Sequence, residues 1–265
     1  MKVNDVCNYL NNRFPLENAE EYDRAIGLAI GDGRIEVTGI CLALDVNKEV
    51  IKEALDNNCN LIITHHPLLF NPVYKILYND FKGEIIKMLI ENNMSLYSMH
   101  TNLDVGDGGV NDTLANNLGL SDIKIINGEA SKGNYLRYGK VKEMTLGELA
   151  SNVKKIFNLS GVRVLGDLNK KIKTVGVVGG SGAHDSDIFL AKASGCDCYI
   201  TGEVHLNNAQ YASFLNIALI EVNHGVEKFV FYSLIEELKK NFKELYNYTS
   251  KIFITSNNSD GLISM

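Results

Sequence analysis

Two adjacent histidines, His65 and His66, close a short apolar stretch of the chain. Leu61–Ile63 is rich in β-branched residues and predicts a buried strand that ends at this pair. Side chains alternate along a strand, so the two imidazoles can serve one site only if the chain turns there, and Pro67 favours a turn. Open α/β sheets bind ligands beyond the carboxyl ends of their strands, and imidazole binds divalent transition metals. The pair therefore predicts a metal site.

Carboxylates and a third histidine follow other predicted strands. Asp104 precedes a glycine-rich loop, where it is a metal ligand or a turn-forming or N-capping residue. His224 and Glu227 are three residues apart at the start of a predicted helix, so both side chains lie on one face of it. The alternative role of Glu227 is a first-turn carboxylate that interacts favourably with the helix dipole. Three histidines and two carboxylates exceed the needs of one tetrahedral zinc. They suit two divalent ions bridged by a carboxylate and a water, and zinc, iron, manganese and nickel are all compatible.

A second group of residues at strand ends carries weaker signals. His100 is a candidate for proton transfer or for holding a ligand in place, and its alternative is a satisfied buried histidine. Glu203 and His205 have the same two candidate roles. The alternative is that the carboxylate only caps the next helix. Gly179–Gly182 joins a strand to a helix and can bind an anion through its N–H groups. The signal for an anion is weak because the loop lacks the lysine of a P-loop, and a tight turn explains the glycines equally well. Cys196 and Cys198 are interpreted as core residues.

The elements that must position these residues alternate between strands and helices, which predicts an α/β protein. We expect a first lobe over residues 1–124, completed by 222–265, and a second over 125–221. Asp32-Gly33 predicts a hairpin turn, and Thr145 with Glu148 predicts a capping box. The predicted strands are Ile35–Ala43, Leu61–Thr64, Ser95–Met99, Leu136–Val141, Thr174–Val178, Cys198–Thr201, Ile217–Val222 and Lys251–Ser256. The predicted helices are Val3–Phe14, Asn47–Asn58, Phe81–Asn92, Asn111–Leu118, Asp185–Ser194, Leu206–Leu215 and Gly225–Lys240.

Composition limits the classes of function. A net charge of −6 over 265 residues argues against broad nucleic-acid or anionic-membrane binding. The lysine pairs at 170–171 and 239–240 are candidates for a local basic lining, with solvated surface as the simpler interpretation. Five cysteines without a CxxC pair suit a reducing compartment, and no apolar run approaches the roughly 18 residues of a membrane span. With no apolar leader in the first residues, we expect a cytoplasmic protein.

Several segments together resemble the NIF-three-like family, whose members are often named GTP cyclohydrolase I type 2 homologues. The early element of that family carries a tryptophan where this chain has Tyr22, whereas Asp23, Gly27 and Leu28 match. The histidine that follows Glu203 in the family usually lies farther along than His205. The matching stretches are Ile63–Pro67, His100–Asp104, Gly108–Asn111, Gly176–Gly182, Tyr199–Glu203 and Asn223–Glu227.

The resemblance implies a two-lobed α/β fold with mixed and parallel sheets flanked by helices and a dinuclear metal site in the cleft between the lobes. It also implies a ring-like homohexamer and Glu227 as the bridging carboxylate. The implied metal ligands are His65, His66, Asp104, His224 and Glu227.

The leading hypothesis for function is a metal-dependent hydrolase for an unidentified small molecule, in which His100 or Glu203 transfers protons. No guanine-reading motif points to GTP. A non-catalytic metal carrier or regulatory factor and a ring-shaped nucleic-acid-binding protein are the alternatives.

Overall fold

A computed structural model describes residues 1–126 and 134–257 of the chain, which divides into two compact units. Within the described residues, unit one comprises 1–103 and 230–257, and unit two comprises 104–229. The boundaries predicted from the sequence were 124/125 and 221/222. They differ because 104–124 supplies a helix and an edge strand to the second sheet, and 222–229 packs on that helix. Residues 258–265, assigned to the first lobe, lie outside the described residues.

Unit one is built on a five-stranded sheet. The strand order is β1-β4-β3-β2-β11, with β1 antiparallel to β4 and every other pair parallel. Its strands are β1 (Gly27–Ile30), β2 (Ile40–Ala43), β3 (Leu61–Thr64), β4 (Ser95–Ser98) and β11 (Ile252–Ile254), and its helices are α1 (Val3–Arg13), a 3₁₀ turn (Leu16–Asn18), α2 (Lys48–Asp56), α3 (Phe81–Glu91) and α9 (Val230–Tyr246). The boundary between the units falls inside α4 (Thr101–Val105).

The parallel strands β2, β3 and β4 end level with one another. Every residue of these strands is buried, as expected for parallel strands covered on both faces. Thr64 pairs with Ala43 on one side and with Ser98 on the other. The residues that follow all three strands therefore lie at one edge of the sheet.

The predicted hairpin at Asp32-Gly33 is wrong. Strand β1 pairs with β4, whereas β2 lies between β3 and β11. The chain between β1 and β2 instead bonds to the start of α1, because the amide of Val3 donates to Ile35 O at 3.0 Å and that of Asn4 donates to Gly33 O at 2.8 Å. The predicted return of the last strand onto the first sheet is confirmed, since β11 runs parallel to β2.

Unit two is built on a six-stranded sheet. The order is β5-β6-β8-β9-β10-β7, in which β8, β9 and β10 are parallel and the other pairs are antiparallel. Its strands are β5 (Ser121–Ile125), β6 (Arg137–Thr145), β7 (Arg163–Leu165), β8 (Lys171–Val178), β9 (Cys198–Thr201) and β10 (Ala218–Glu221). Its helices are α5 (Val110–Asn117), α6 (Leu146–Ile156), α7 (Asp185–Ala193), α8 (Leu206–Phe214) and a 3₁₀ turn (His224–Phe229).

The three parallel strands of unit two also end level. Thr201 pairs with Val178 and with Glu221, so the chain leaves β8, β9 and β10 at one edge. The predicted capping box is confirmed: Glu148 N donates to Thr145 Oγ1 at 3.2 Å, and Thr145 N donates to the Glu148 carboxylate at 2.7 Å. None of the helices in the described part of the chain is long and apolar enough to cross a membrane.

The long helix predicted over Gly225–Lys240 is divided in the structure. His224–Phe229 forms a 3₁₀ turn, and the α-helix proper is Val230–Tyr246. A 3₁₀ turn has three residues per turn, so side chains three apart eclipse one another. The turn therefore sets His224 directly against Glu227.

Candidate metal centre

Three histidines of unit one lie together at the edge where the parallel strands end. The ring centroids of His65 and His66 are 4.9 Å apart, and that of His100 lies 5.3 Å from His65 and 5.8 Å from His66. One nitrogen of each ring lies within 4.8 Å of one nitrogen of the other two. The structure thus brings His100, predicted as a proton-transfer or positioning group, beside the two predicted ligands.

A local turn places the two neighbouring imidazoles on one side. The hydroxyl of Thr64 donates to the carbonyl oxygen of His66 at 2.9 Å and draws the chain round after the strand. The amides of His65 and His66 still donate to Ala43 O and Leu44 O, at 3.2 and 2.9 Å. The bend predicted from the proline therefore forms without loss of pairing to β2.

In both candidate ligand histidines of unit one, the Nδ1 atom is held by an oxygen. His65 Nδ1 lies 2.9 Å from the carbonyl oxygen of Met99, and His66 Nδ1 lies 2.9 Å from Asp45 Oδ1. A carbonyl oxygen can only accept, so His65 must carry its proton on Nδ1, and the Asp45 carboxylate favours the same tautomer in His66. The lone pair of each ring is then on Nε2, and metal-binding histidines use the same arrangement.

His100 is held in the same way by Asp23, a residue that was not predicted from the sequence to belong to a site. The buried Asp23 Oδ2 accepts from His100 Nδ1 at 3.0 Å and from the amide and hydroxyl of Thr101 at 3.1 and 2.6 Å. Burial raises the pKa of Asp23, but these hydrogen bonds outweigh it, and the pKa lies below its usual value. The available signal was the match of Asp23 to the early element of the family.

In unit two, a buried glutamate lies close to two further candidate ligands. Glu227 is only 3% exposed, and its Oε2 lies 3.2 Å from His224 Nε2. A carboxylate oxygen of Asp104 lies within 4.8 Å of one of Glu227. Glu227 is therefore near both of the other candidate ligands of this unit, as a shared carboxylate must be.

Asp104 is positioned by a side chain that the sequence patterns did not reveal. Asn111 Nδ2 donates to the backbone oxygen of Asp104 at 3.0 Å, while Asn111 Oδ1 accepts from Gly179 N at 2.8 Å. The fully buried Arg137 adds a hydrogen bond to Val105 O at 3.2 Å. Asn111 belongs to one of the stretches that match the family, and its burial at the start of α5 was the missing information.

Glu203 lies between a serine and a candidate ligand. Glu203 Oε2 accepts from Ser181 Oγ at 2.6 Å, and Oε1 lies 3.0 Å from His224 Nδ1. The hydrogen bond from Ser181 lowers the pKa of Glu203 most, partial burial opposes it, and His224 adds to the lowering. An ionised Glu203 accepts a hydrogen bond from His224 Nδ1, and His224 Nε2 lies 3.2 Å from Glu227 Oε2. This geometry favours a positioning role for Glu203.

The glycine loop packs against these ligands. Gly180 has a φ of +56°, and a Cβ atom there would lie 2.6 Å from Glu227 Oε1 and 3.1 Å from His224 Nε2. The amide of Gly179 is already bonded to Asn111. Of the two interpretations of this loop, anion binding and tight turning, the positive φ of Gly180 supports the turn. A side chain there would also occupy the space of the ligand pair.

Other residues noted in the sequence lie elsewhere. His184 and His205 are exposed at the N-termini of α7 and α8, and no donor cluster found within the described residues contains them. Cys196 and Cys198 are buried, in agreement with a core role. Lys170 donates to the carbonyl oxygens of residues 197 and 216, at 3.0 and 3.3 Å, so its ammonium supports the backbone.

The family model described as Duf34/NIF3 (NGG1p interacting factor 3) matches residues 1–260. The chain belongs to the Duf34/NIF3 family.

Relatives and solved structures agree with this membership. The Duf34/NIF3 chain is 38% identical over 229 residues to a Clostridium acetobutylicum protein named GTP cyclohydrolase 1 type 2 homolog, covering 84% of each. It superimposes on Staphylococcus aureus hypothetical protein SA1388 with a TM-score of 0.91 at 31% identity, covering 100% of this chain and 99% of the other. For a Bacillus cereus protein related to NIF3, the TM-score is 0.93 at 25% identity with the same coverage. The mixed α/β fold with two helix-flanked sheets is thus that of NIF3 proteins.

If Glu227 and His224 hold a metal, Gly180→Ala is expected to weaken zinc binding without an exceptional loss of stability. The new methyl group must displace the end of the Glu227 side chain, and disturbing a group that orients a ligand costs roughly 10- to 100-fold in affinity. Gly119→Ala is the matched control, since Gly119 has a φ of +69° and a methyl group added there would have no atom within 4 Å. Zinc competition titration and urea unfolding measure the two effects. Equal zinc affinity in both variants would contradict the packing argument.

Proposed function

We propose that the protein binds divalent transition-metal ions, two per chain. The observation that carries this proposal is the oxygen at the Nδ1 atom of every candidate histidine, which leaves Nε2 as the donor. The ions compatible with this mixed set of imidazoles and carboxylates are zinc, iron, manganese and nickel. The proposed ligands are His65, His66, Asp104, His224 and Glu227.

The charges of the candidate ligands support a cation. Asp104 and Glu227 are 8% and 3% exposed, and their carboxylate oxygens lie within 4.8 Å of each other. Two buried carboxylates at this separation repel one another unless a proton or a cation compensates them. His65 is fully buried as well, with its Nδ1 atom bonded to a carbonyl oxygen. Buried carboxylates at this separation fit a metal ion better than a purely structural role.

We further propose that the protein is a hydrolase. Divalent ions held by such ligands polarise an electrophile and make water nucleophilic at neutral pH. Asp23 holds His100 by Nδ1, so Nε2 of His100 is the atom that accepts a proton from the nucleophile and returns it to the leaving group. Glu203, whose two oxygens bond Ser181 and His224, positions His224. A carrier protein needs none of the groups that orient His100.

The substrate is a small molecule, and GTP is the first to test, because the curated relatives are named GTP cyclohydrolase 1 type 2 homologues. That name alone supports GTP. The hexameric assembly stays an implication of the family resemblance, and the cytoplasmic location stays a prediction from the sequence.

Metal analysis of protein purified without chelators is expected to give about two ions per chain. His65→Ala and Glu227→Ala should each lose at least one of them, because each removes a ligand. His184→Ala and His205→Ala are matched controls, since these histidines are exposed and lie outside the donor clusters found in the described ranges. Atomic emission after reconstitution and dialysis provides the measurement. Protein that takes up no metal, or controls that lose as much as the ligand variants, would overturn the proposal.

Hydrolysis is tested with the metal-loaded protein on GTP and on p-nitrophenyl phosphate. His100→Gln is expected to keep its metal and lose about 100-fold in kcat, the size of a general acid–base contribution. Formate, phosphate and nitrophenol release provide the readouts. Wild-type turnover no faster than that of Glu227→Ala on either substrate would contradict the hydrolase and favour the metal carrier. Loss of metal in His100→Gln would make His100 a third ligand of its cluster.

A further inference from the structure

Two exposed aromatic side chains adjoin the histidine cluster of unit one. Phe70 is 41% exposed, and its ring centroid lies 5.7 Å from that of His100 at an interplanar angle of 89°. Tyr22 is 64% exposed and meets Phe70 edge to face, with centroids 6.3 Å apart. Tyr22 and Phe70, here called the aromatic rim, therefore continue the row of rings that begins at His65.

The chain next to each ring is anchored. Tyr22 precedes Asp23, whose carboxylate is bonded to His100 and Thr101, and the amide of Glu20 donates to the Thr101 hydroxyl at 3.1 Å. On the other side, Leu68 is buried in the core of unit one, two residues before Phe70. These contacts therefore hold the backbone that carries each ring. The chain thus holds large apolar groups in solvent beside the proposed donors.

We infer that the aromatic rim binds a planar aromatic or heteroaromatic ring of the substrate, next to the group that is hydrolysed. Exposed aromatic surface at the margin of a polar cluster is typical of a ligand site, where apolar walls accompany a few converging polar groups. Edge-to-face pairs with centroids 4.5–7 Å apart are favourable, and the Tyr22, Phe70 and His100 rings already adopt this geometry. A third planar ring can contact the exposed faces of both residues. The inference rests on the proposed function and names the substrate class of the same site.

Two hydroxamates test the inference without knowledge of the substrate. Acetohydroxamate and benzohydroxamate share the same metal-binding group. The first carries a methyl group and the second a phenyl group. Cobalt-loaded protein is titrated with each, and the visible absorption of cobalt reports binding. The wild-type protein should bind benzohydroxamate about 10-fold more tightly than acetohydroxamate, as expected for one added aromatic contact.

Substitutions in the aromatic rim distinguish binding of the phenyl group from binding of the hydroxamate to the metal. Phe70→Ala and Tyr22→Ala should each reduce the preference for benzohydroxamate at least 3-fold and leave acetohydroxamate affinity unchanged. Tyr74→Ala is the matched control, because Tyr74 lies on the same loop as Phe70 with its side chain 92% exposed, and it should keep the wild-type preference.

The possible outcomes distinguish a failure of the aromatic rim from a failure of the proposed metal site. Acetohydroxamate binding without a preference for the phenyl compound, or a preference that survives both rim substitutions, would overturn the rim and leave the metal site standing. Protein that holds no cobalt and binds neither hydroxamate would overturn the metal site and the inference together.

Discussion

The hydrogen bond from a histidine Nδ1 atom to an oxygen is the interaction on which the candidate site depends. It occurs at four of the six histidines, with Met99, Asp45, Asp23 and Glu203 providing the oxygens at 2.9–3.0 Å. Each bond places a proton on Nδ1 and fixes the plane of the ring. Free imidazole is a mixture of two tautomers, whereas these hydrogen bonds hold a proton on Nδ1 before any ion binds.

The register of the two sheets places these oxygens and rings together within each unit. In unit one, the pairing of Thr64 with Ala43 and Ser98 makes three parallel strands end level, and the chain then delivers Asp45, the histidine pair and His100 to one edge. In unit two, Thr201 sets the same relation between β8, β9 and β10, which deliver Gly180, Glu203 and His224. Because a slip of one residue would turn each side chain to the opposite face, the buried strands that fix the register also fix the site.

Much of this could be predicted from the sequence, because strand ends carry local signals. The apolar stretch before His65 and the turn at Pro67 located the pair, and the spacing of His224 and Glu227 placed both on one face. Glu203 was a candidate for holding a ligand in place, but Asp23 could not be predicted as the partner of His100, because it precedes His100 by 77 residues and no local pattern joins them. The same reason explains the wrong hairpin at Asp32-Gly33: the turn signal was local, whereas β1 pairs with the distant β4. Gly180 was noted for its turn, and only packing shows that its missing side chain makes room for Glu227.

Long-range ¹H–¹⁵N correlation spectra of the histidine rings in metal-free protein test the central claim most directly. We predict that His65, His66 and His100 carry a proton on Nδ1 and none on Nε2, with the exposed His184 and His205 as internal references. On addition of zinc, the Nε2 signals of His65, His66 and His224 should shift and Nδ1 should stay protonated. A protonated Nε2 at His65, His66 or His100 in the metal-free protein, or zinc shifts at Nδ1, would contradict the claim that the Nδ1 hydrogen bonds set up the metal donors.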